Sequence, residues 1–437
     1  MLASTQTSST TGVRRRNPAI VTFLCLVILL FDGYDLIIYG VTMPSMLKYA
    51  PWGLNPATAG AIGSLALLGM LFGSLLAGAL SDRYGRRKVI MGLVSFFSIC
   101  MAAVVWAPDA GTFTVLRFFA GVGLGGAIPV VSAMTVEFAQ NHKRNFNNAL
   151  MFSGYYFGGI LAALIGLAVL PRGSFLWLYG FGALPIILLV PILWRYLPES
   201  PSYLLSRGRV DEAHLTMEEF GIDPSNYSLG NSSAETATAV SPVKPWKVLI
   251  GRKYVVGLAL FSFTSVMTIA LVYGLSTWTA QLLVMSGRPL DSSLALMLAM
   301  NLGAGLGVMV AARAADRFNT QVVIVLSLLI GAAALVFIGL GVENTWLLYM
   351  LIFLAGFGAT GSPALVTGFA GTYFPTEIRA TALGVILSLG RAGAGIAILL
   401  GGLLVAANLG SFVNFGSWAV LCVGAAILVF LVRAPKS

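Results

Sequence analysis

"GALSDRYGRRKVI", residues 78–90, joins two apolar runs by a turn that carries five charged side chains. The run before the turn covers 57–80 and the run after it covers 88–106, and each is long enough to cross about 30 Å of hydrocarbon. Gly85 permits a tight reversal of the chain, and Gly78 permits close approach of two helices. The stretch therefore predicts two membrane helices joined by a short charged turn.

Apolar runs of this kind continue along the whole chain. Of the 437 residues, 58% are hydrophobic and 10% are charged, whereas soluble domains carry about 25% charged residues. The sequence predicts an all-α membrane protein with twelve transmembrane helices. The predicted spans are 19–43, 57–80, 88–106, 112–136, 148–170, 175–196, 254–283, 291–312, 320–340, 346–370, 381–405 and 411–433.

The positions of the basic residues predict the orientation of the chain. A net charge of +10 could indicate nucleic-acid binding, but with the N-terminus inside, nearly all Lys and Arg fall in cytoplasmic segments, as the positive-inside rule requires. The exceptions are Lys48, Arg172 and Arg288 outside, and Arg117 and Arg391 within spans. We expect a multi-pass protein of the cell inner (plasma) membrane with both termini cytoplasmic and no nucleic-acid partner.

The spans divide into two sets of six around a long polar segment. The predicted domains are a cytoplasmic N-terminal tail (1–18), an N-terminal six-helix bundle (19–196), a cytoplasmic linker (197–253) with a short amphipathic helix at 209–220, a C-terminal six-helix bundle (254–433) and a cytoplasmic C-terminal tail (434–437).

Matching residues support a duplication of the bundle. At one offset of 234 residues, Asp82 falls on Asp316 and Pro129 falls on Pro363. Two six-helix repeats around a central cavity are a common transporter architecture, with the substrate near the bilayer midplane.

The charged turn resembles the loop signature of the major facilitator superfamily, and "LPESPSYLL", residues 197–205, resembles a motif that closes the first half in several of its transporters. The prolines of that motif would end the sixth helix in any case. The resemblance implies gating by loop charges as the two halves alternate. The gating candidates are Asp82, Arg83, Arg86, Arg87, Glu137, Arg144, Asp316, Arg317 and Arg379. For Glu137, an ordinary carboxylate at the end of a helix is the alternative.

Two aspartates lie inside the first span, in "LLFDGYDLIIYG", residues 29–40. Each costs about 2.5–3.5 kcal/mol at a helix centre, so Asp32 and Asp35 indicate function. From the rise of a helix, Asp35 lies about 24 Å from the inner edge and Arg117 about 22 Å, while Arg391 lies about 15 Å in. Arginine binds carboxylates with a bidentate fork, and a buried carboxyl can load and release a proton. The alternative is that ion pairs simply lock helices together.

"DGYD" in this span, together with Arg117 and Arg391, resembles the aromatic acid:H+ symporter family, a branch of the superfamily. The resemblance implies import of a benzoate-type, hydroxybenzoate-type, protocatechuate-type or gentisate-type acid together with protons. The arginines would bind its carboxylate, and Asp32 and Asp35 would couple protons. Aromatic side chains could stack on the substrate ring or merely pack in the protein. The ring candidates are Tyr34, Tyr155, Tyr156, Tyr273 and Trp278, with Asn301 for a ring hydroxyl.

Other functions have little support in the sequence. His142 and His214 have no metal-ligand spacing around them, so we expect no metal, and we expect no cofactor and no enzyme activity. One chain holds both halves, so a monomer suffices. The alternatives are a major facilitator carrier for another organic acid or a sugar, an exporter, or a membrane sensor of aromatic acids.

Overall fold

The computed structural model describes residues 16–140, 144–222, 249, 251 and 253–432. Twelve helical spans in this part of the chain are long and apolar enough to cross a membrane, which confirms the predicted fold class. The first half consists of Ala19–Lys48, Pro56–Tyr84, Arg86–Val104, Ala110–Phe138, Arg144–Val169 and a sixth span in two helices, Leu176–Phe181 and Leu184–Tyr196.

The second half repeats the pattern with one irregular span. Its spans are Val255–Met285, Leu290–Arg317, Thr320–Gly339, a tenth span built from Thr345–Ala355, a π-helical turn Gly356–Thr360 and Ser362–Tyr373, then Thr376–Ala406 and Gly410–Leu431. Short helices at Ala50–Trp52, Pro201–Ser206 and Val210–Phe220 lie in the connections. The last of these confirms the predicted amphipathic helix.

Local sequence sets the ends of the helices that carry the charged residues. Gly85, between the second and third spans, has φ +91°, so the predicted tight reversal is present. The Asp109 side chain accepts a hydrogen bond of 2.9 Å from the Thr112 backbone N–H and caps the fourth span. This bond and a second one from the Thr112 hydroxyl hold the pKa of the Asp109 carboxyl below its usual value.

The two halves pack in equivalent ways. In the first half the first span packs on the fifth, the second on the fourth and the third on the sixth; in the second half the seventh packs on the eleventh, the eighth on the tenth and the ninth on the twelfth. Between the halves, the second span meets the eleventh, the fifth meets the eighth and the first meets the seventh. These pairings are those of two repeats related by an approximate two-fold axis, as the sequence offset predicts.

Glycines at equivalent positions allow the same close packing in both halves. A methyl group on Gly69 or Gly73 of the second span would overlap backbone carbonyls of the fourth span. Gly303 and Gly307, which follow at the same offset of 234 residues, have the same relation to the tenth span. Small residues at these positions let the backbones approach closely. The duplication therefore extends to the helix contacts.

The halves meet on one membrane face and separate on the other. An even number of spans places both ends of the described chain and the helices of residues 201–220 on one face, here named the linker face. On the opposite face, a β-carbon on Gly402 of the eleventh span would lie 2.5 Å from the Pro56 carbonyl oxygen of the second span. Near the linker face, a β-carbon added at Gly78 or Gly384 of the same two spans would meet no atom of the described residues within 4 Å. The close approach expected at Gly78 is absent in this conformation.

The helix Val210–Phe220 is attached to the first half. Its Phe220 ring packs edge-on against Phe138 of the fourth span, with centroids 5.1 Å apart, and Glu219 forms an ion pair of 2.7 Å with Arg16. Residues 223–248, 250 and 252 of the predicted linker, residues 1–15 of the N-terminal tail and the whole C-terminal tail lie outside the described residues. All three cysteines are buried within spans.

Candidate functional site

Four charged side chains from three spans lie at the centre of the molecule. Asp32 and Asp35 are 4% and 5% exposed, and Arg117 of the fourth span is 4% exposed. Arg391 of the eleventh span is half-buried. A spacing of three residues directs both carboxyl groups of the first span toward the same region. Both halves of the protein therefore contribute charge to one site.

Asp35 and Arg117 form a buried ion pair, which confirms that they lie at one depth. The Arg117 guanidinium also lies over the rings of Tyr39 and Tyr179, 5.6 and 5.5 Å from their centroids. These cation–π contacts and the ion pair come from the first half alone. Arg117 is thus held by its own half, and its geometry fits a helix-locking pair as well as it fits a substrate ligand.

Asp32 has a different environment. Its Oδ1 atom is buried without a hydrogen-bond partner among the described residues. The charged groups that act on it through space are the Asp35 carboxyl and the Arg391 guanidinium. No hydrogen bond or ion pair of Arg391 occurs within the part of the chain that the structure describes. Asp32 and Arg391 are therefore the two charged groups of the site that remain available to a ligand.

Backbone contact between the first and fifth spans places Tyr155 beside Asp32. A methyl group on Gly33 would overlap the Tyr155 carbonyl group, so the two backbones touch at this level. The Tyr155 hydroxyl is buried and has no hydrogen-bond partner in the described chain. Its electrostatic neighbours include Asp32 and Tyr273 of the seventh span. Tyr155 and Tyr273 thus border the site from opposite halves.

Two other predicted ring contacts are occupied by packing. The Tyr34 hydroxyl donates a hydrogen bond of 2.6 Å to the Leu178 carbonyl and ties the first span to the sixth. Trp278 is fully buried, and its Nε1 donates a bond of 3.0 Å to the Ile398 carbonyl of the eleventh span. The structure therefore assigns both side chains to contacts between helices and gives neither an exposed ring face.

Asn301, which was a candidate for a hydrogen bond to a hydroxyl on the substrate ring, lies between the two halves of the protein. Its Nδ2 donates to the Met297 carbonyl at 2.9 Å. Its Oδ1 would lie 2.5 Å from a β-carbon on Gly159 of the fifth span. The amide thus fills the contact between the fifth and eighth spans, which leaves little room for a substrate group beside it.

A small cavity lies beside the Asp35–Arg117 pair. Tyr39 and Gly63 line it from the first half, and Thr277 lines it from the second half. It has room for about one or two water molecules. In this conformation an aromatic substrate therefore needs movement of the helices to occupy the cavity.

A polar cluster on the linker face involves some of the predicted gating residues. Arg86 forms an ion pair with Glu137, and the Ser200 hydroxyl donates a bond of 2.5 Å to the same carboxylate. Glu199 accepts a bond of 3.0 Å from the Arg87 backbone N–H. The sequence prediction did not include Glu199 and Ser200, although "LPESP" marked the segment. All these groups belong to the first half or to the residues directly after it.

The remaining gating candidates lie apart from this cluster. The side chains of Asp82, Arg83 and Arg317 are exposed, and the backbone carbonyls of the first two accept bonds from Arg207. Arg379 donates to the Phe374 carbonyl just before its own helix.

Other predicted positions give no further site. The side chains of Arg144 and Asp316, and His142 as a whole, lie outside the described residues. His214 is exposed on the amphipathic helix. No group of three His, Cys, Asp or Glu side chains that could hold a metal ion occurs among the described residues.

Two six-helix repeats with charged side chains between them define a membrane transporter. Comparison with known proteins supports this class, because the sequence model of the Major Facilitator Superfamily matches residues 25–307 and 287–437. The chain belongs to the Major Facilitator Superfamily, and it is a transporter and not an enzyme.

Individual relatives resemble the chain along most of its length. A benzoate transport protein of Acinetobacter baylyi is 32% identical, over 94% of this chain and 89% of the relative. A gentisate transporter of Corynebacterium glutamicum is 33% identical, over 93% and 86% of the two chains. An inward-open structure of the xylose transporter from E. coli superposes with a TM-score of 0.76 at 16% identity, over 96% of this chain and 97% of that one, which shows the shared fold.

Proposed function

We propose that this protein imports an aromatic carboxylate together with protons by alternating access. We place it in the cell inner membrane as a monomer, with the linker face toward the cytoplasm. The observation that carries the proposal is the buried Asp32 carboxyl of the first half, on which the Arg391 guanidinium of the second half acts through space. Among the described residues, Asp32 Oδ1 has no hydrogen-bond partner. The names of the similar proteins, a benzoate and a gentisate transporter, favour the same substrate class.

Arg391 is the proposed ligand of the substrate carboxylate. A guanidinium presents two parallel N–H donors that match the two oxygens of a carboxylate. Arg117 offers the same chemistry, but its guanidinium already binds Asp35. We therefore assign Arg391 to the substrate and the Asp35–Arg117 pair to holding the first and fourth spans together beside the site.

Coupling follows from competition for Arg391. When Asp32 is ionised, it attracts the guanidinium and repels an incoming anion. When Asp32 binds a proton, the repulsion ends and Arg391 is free for the substrate carboxylate. Proton binding and substrate binding thus favour each other, and the coupling is reciprocal. This competition makes movement of the acid depend on the proton gradient.

Alternating access would move the site from one membrane face to the other. The second and eleventh spans already touch opposite the linker face, so on this proposal the site is closed from that side in the present conformation. The gating charges of the turn at 78–90, with Glu137, would change partners as the first half rotates against the second. Asp316, Arg317 and Arg379 are the proposed counterparts in the second half.

Uptake by the purified protein tests the proposal. Vesicles that contain the protein are supplied with labelled benzoate or 4-hydroxybenzoate, with and without an inward proton gradient. We expect accumulation of at least one acid above equilibrium only when the gradient is present. Absence of uptake of any aromatic acid, with uptake of a sugar or an aliphatic acid instead, would refute it, and binding without accumulation would indicate a sensor.

A further inference from the structure

We propose that the Tyr155 hydroxyl and the Asp32 carboxyl together form a subsite for a hydroxyl group on the substrate ring, so that the preferred substrate is a hydroxylated aromatic acid. This inference rests on the proposed function and makes it more specific. In this proposal Tyr155 forms a hydrogen bond with the substrate, whereas the sequence suggests that its ring could stack on the substrate ring.

The first observation is that both groups are buried with unused hydrogen-bonding capacity. The Tyr155 hydroxyl and Asp32 Oδ1 each lack a partner among the described residues. Buried polar groups are nearly always hydrogen-bonded, so two neighbouring exceptions require an explanation. One explanation is a bound ligand that supplies the missing hydrogen-bond partners, because both groups border the proposed substrate site.

The second observation is the complementary chemistry of the two groups. The tyrosine hydroxyl can donate a hydrogen bond, and the carboxyl oxygen can accept one. A phenolic hydroxyl does both, so a ring hydroxyl can accept from Tyr155 and donate to Asp32 at once. An unsubstituted ring would leave both groups unpaired, and a site built to bind a hydroxyl discriminates strongly against an analogue that lacks it.

The third observation is that the backbone fixes the position of the subsite. The contact of Gly33 with the Tyr155 carbonyl holds the fifth span against the first, one residue from Asp32. A second contact, between Gly158 of the fifth span and the Leu30 carbonyl of the first span, keeps the same two helices together one turn away. Because the backbones cannot approach further, the first and fifth spans keep a fixed separation at the level of Asp32 and Tyr155.

The fourth observation is that Tyr273 and Arg391 of the second half lie close to the same groups. Tyr273 has Asp32 and Arg391 as electrostatic neighbours. A substrate with its carboxylate at Arg391 and a hydroxyl at Tyr155 would therefore reach from the eleventh span to the fifth. Asn301 is the other polar candidate, but its amide is already bonded to Met297.

The test measures substrate preference. The KM of gradient-driven uptake is determined for benzoate and for 2-, 3- and 4-hydroxybenzoate with the natural protein and with Tyr155→Phe. We expect at least one hydroxybenzoate to have a KM about tenfold or more below that of benzoate. In the variant we expect the KM values of benzoate and of that hydroxybenzoate to lie within about twofold of each other. Tyr373→Phe, which removes the same atom from a ring packed against Phe261, should keep the natural preference.

The possible failures are distinguishable. A natural protein that transports benzoate and every hydroxybenzoate with equal KM would overturn the subsite and leave the proposed function intact. The same result follows if Tyr155→Phe raises the KM of benzoate and of the hydroxybenzoates by one common factor. Absence of uptake of all four acids by the natural protein would overturn the proposed function and the subsite together.

Discussion

Arg117 binds Asp35 in the membrane interior, and both residues belong to the first half of the protein. The rings of Tyr39 and Tyr179 cover the same guanidinium. A buried ion pair of this kind is costly to break from one side, because the remaining charge loses its partner. The pair therefore has a structural consequence that can be separated from transport.

Removal of one partner should destabilise the protein more than removal of both. We expect Arg117→Met to lower the free energy of unfolding by about 3–5 kcal/mol, since it leaves Asp35 unpaired. The double variant Asp35→Leu, Arg117→Met should recover most of that loss. Thermal unfolding in detergent measures both, with Arg172→Met on the exposed loop as control. Equal losses in the single and double variants would contradict the structural role.

Asp32 is the expected proton site. Asp32→Asn keeps the size of the side chain and removes its charge, so accumulation driven by a pH gradient should be lost while exchange of substrate for substrate continues. Uptake and counterflow in vesicles measure the two activities. The exposed Asp291→Asn serves as control and should behave as the natural protein. Full accumulation by Asp32→Asn would place the proton elsewhere.

Arg391 is expected to bind the substrate through its planar fork. Arg391→Lys retains the positive charge and loses the bidentate geometry, so the substrate affinity should fall about tenfold or more. Binding titrations on purified protein report the change, and Arg288→Lys, in the loop between the seventh and eighth spans, provides the matched control. An unaltered affinity would assign the carboxylate to another residue.

Gly33 allows close contact between the first and fifth spans. A methyl group there would overlap the Tyr155 carbonyl, so Gly33→Ala must push the helices apart and should reduce both thermal stability and transport. In Gly92→Ala of the third span, the added methyl group meets no atom of the described residues within 4 Å. Alanine is preferred over glycine in a helix by about 0.5–1 kcal/mol, so this control should be neutral or slightly stabilising. Similar effects of the two changes would argue against the contact.

Much of this arrangement could be predicted from the sequence because the membrane restricts the solutions. Apolar length predicts the spans, and the constant rise of a helix predicts that Asp35 and Arg117 lie at one depth, where they form an ion pair. The same reasoning predicts a cation of the second half, Arg391, near the midplane, and its charge acts on Asp32. The depth of a residue in the membrane depends only on its position along the helix, so counting residues is enough to predict it.

The remaining details depend on rotation about each helix and on side-chain bonds, which residue counting does not report. Nothing in the sequence distinguished Trp278, bonded to the Ile398 carbonyl, from Tyr155, whose hydroxyl is unpaired. Glu199 was missed because its partner is a backbone N–H of Arg87, a group that every residue except proline carries. Such contacts have no signature in residue type or spacing.

The burial of all three cysteines has a practical consequence. Cys25, Cys100 and Cys422 lie within spans, away from aqueous reagents. A water-soluble spin label should therefore react selectively with cysteines introduced on the surface, without replacement of the native thiols. Labels can be attached at the linker-face ends of the second and eleventh spans, beside Gly78 and Gly384. Electron paramagnetic resonance would then report the distance between the two halves in a lipid bilayer. It would also show how that distance changes when an aromatic acid or a proton binds.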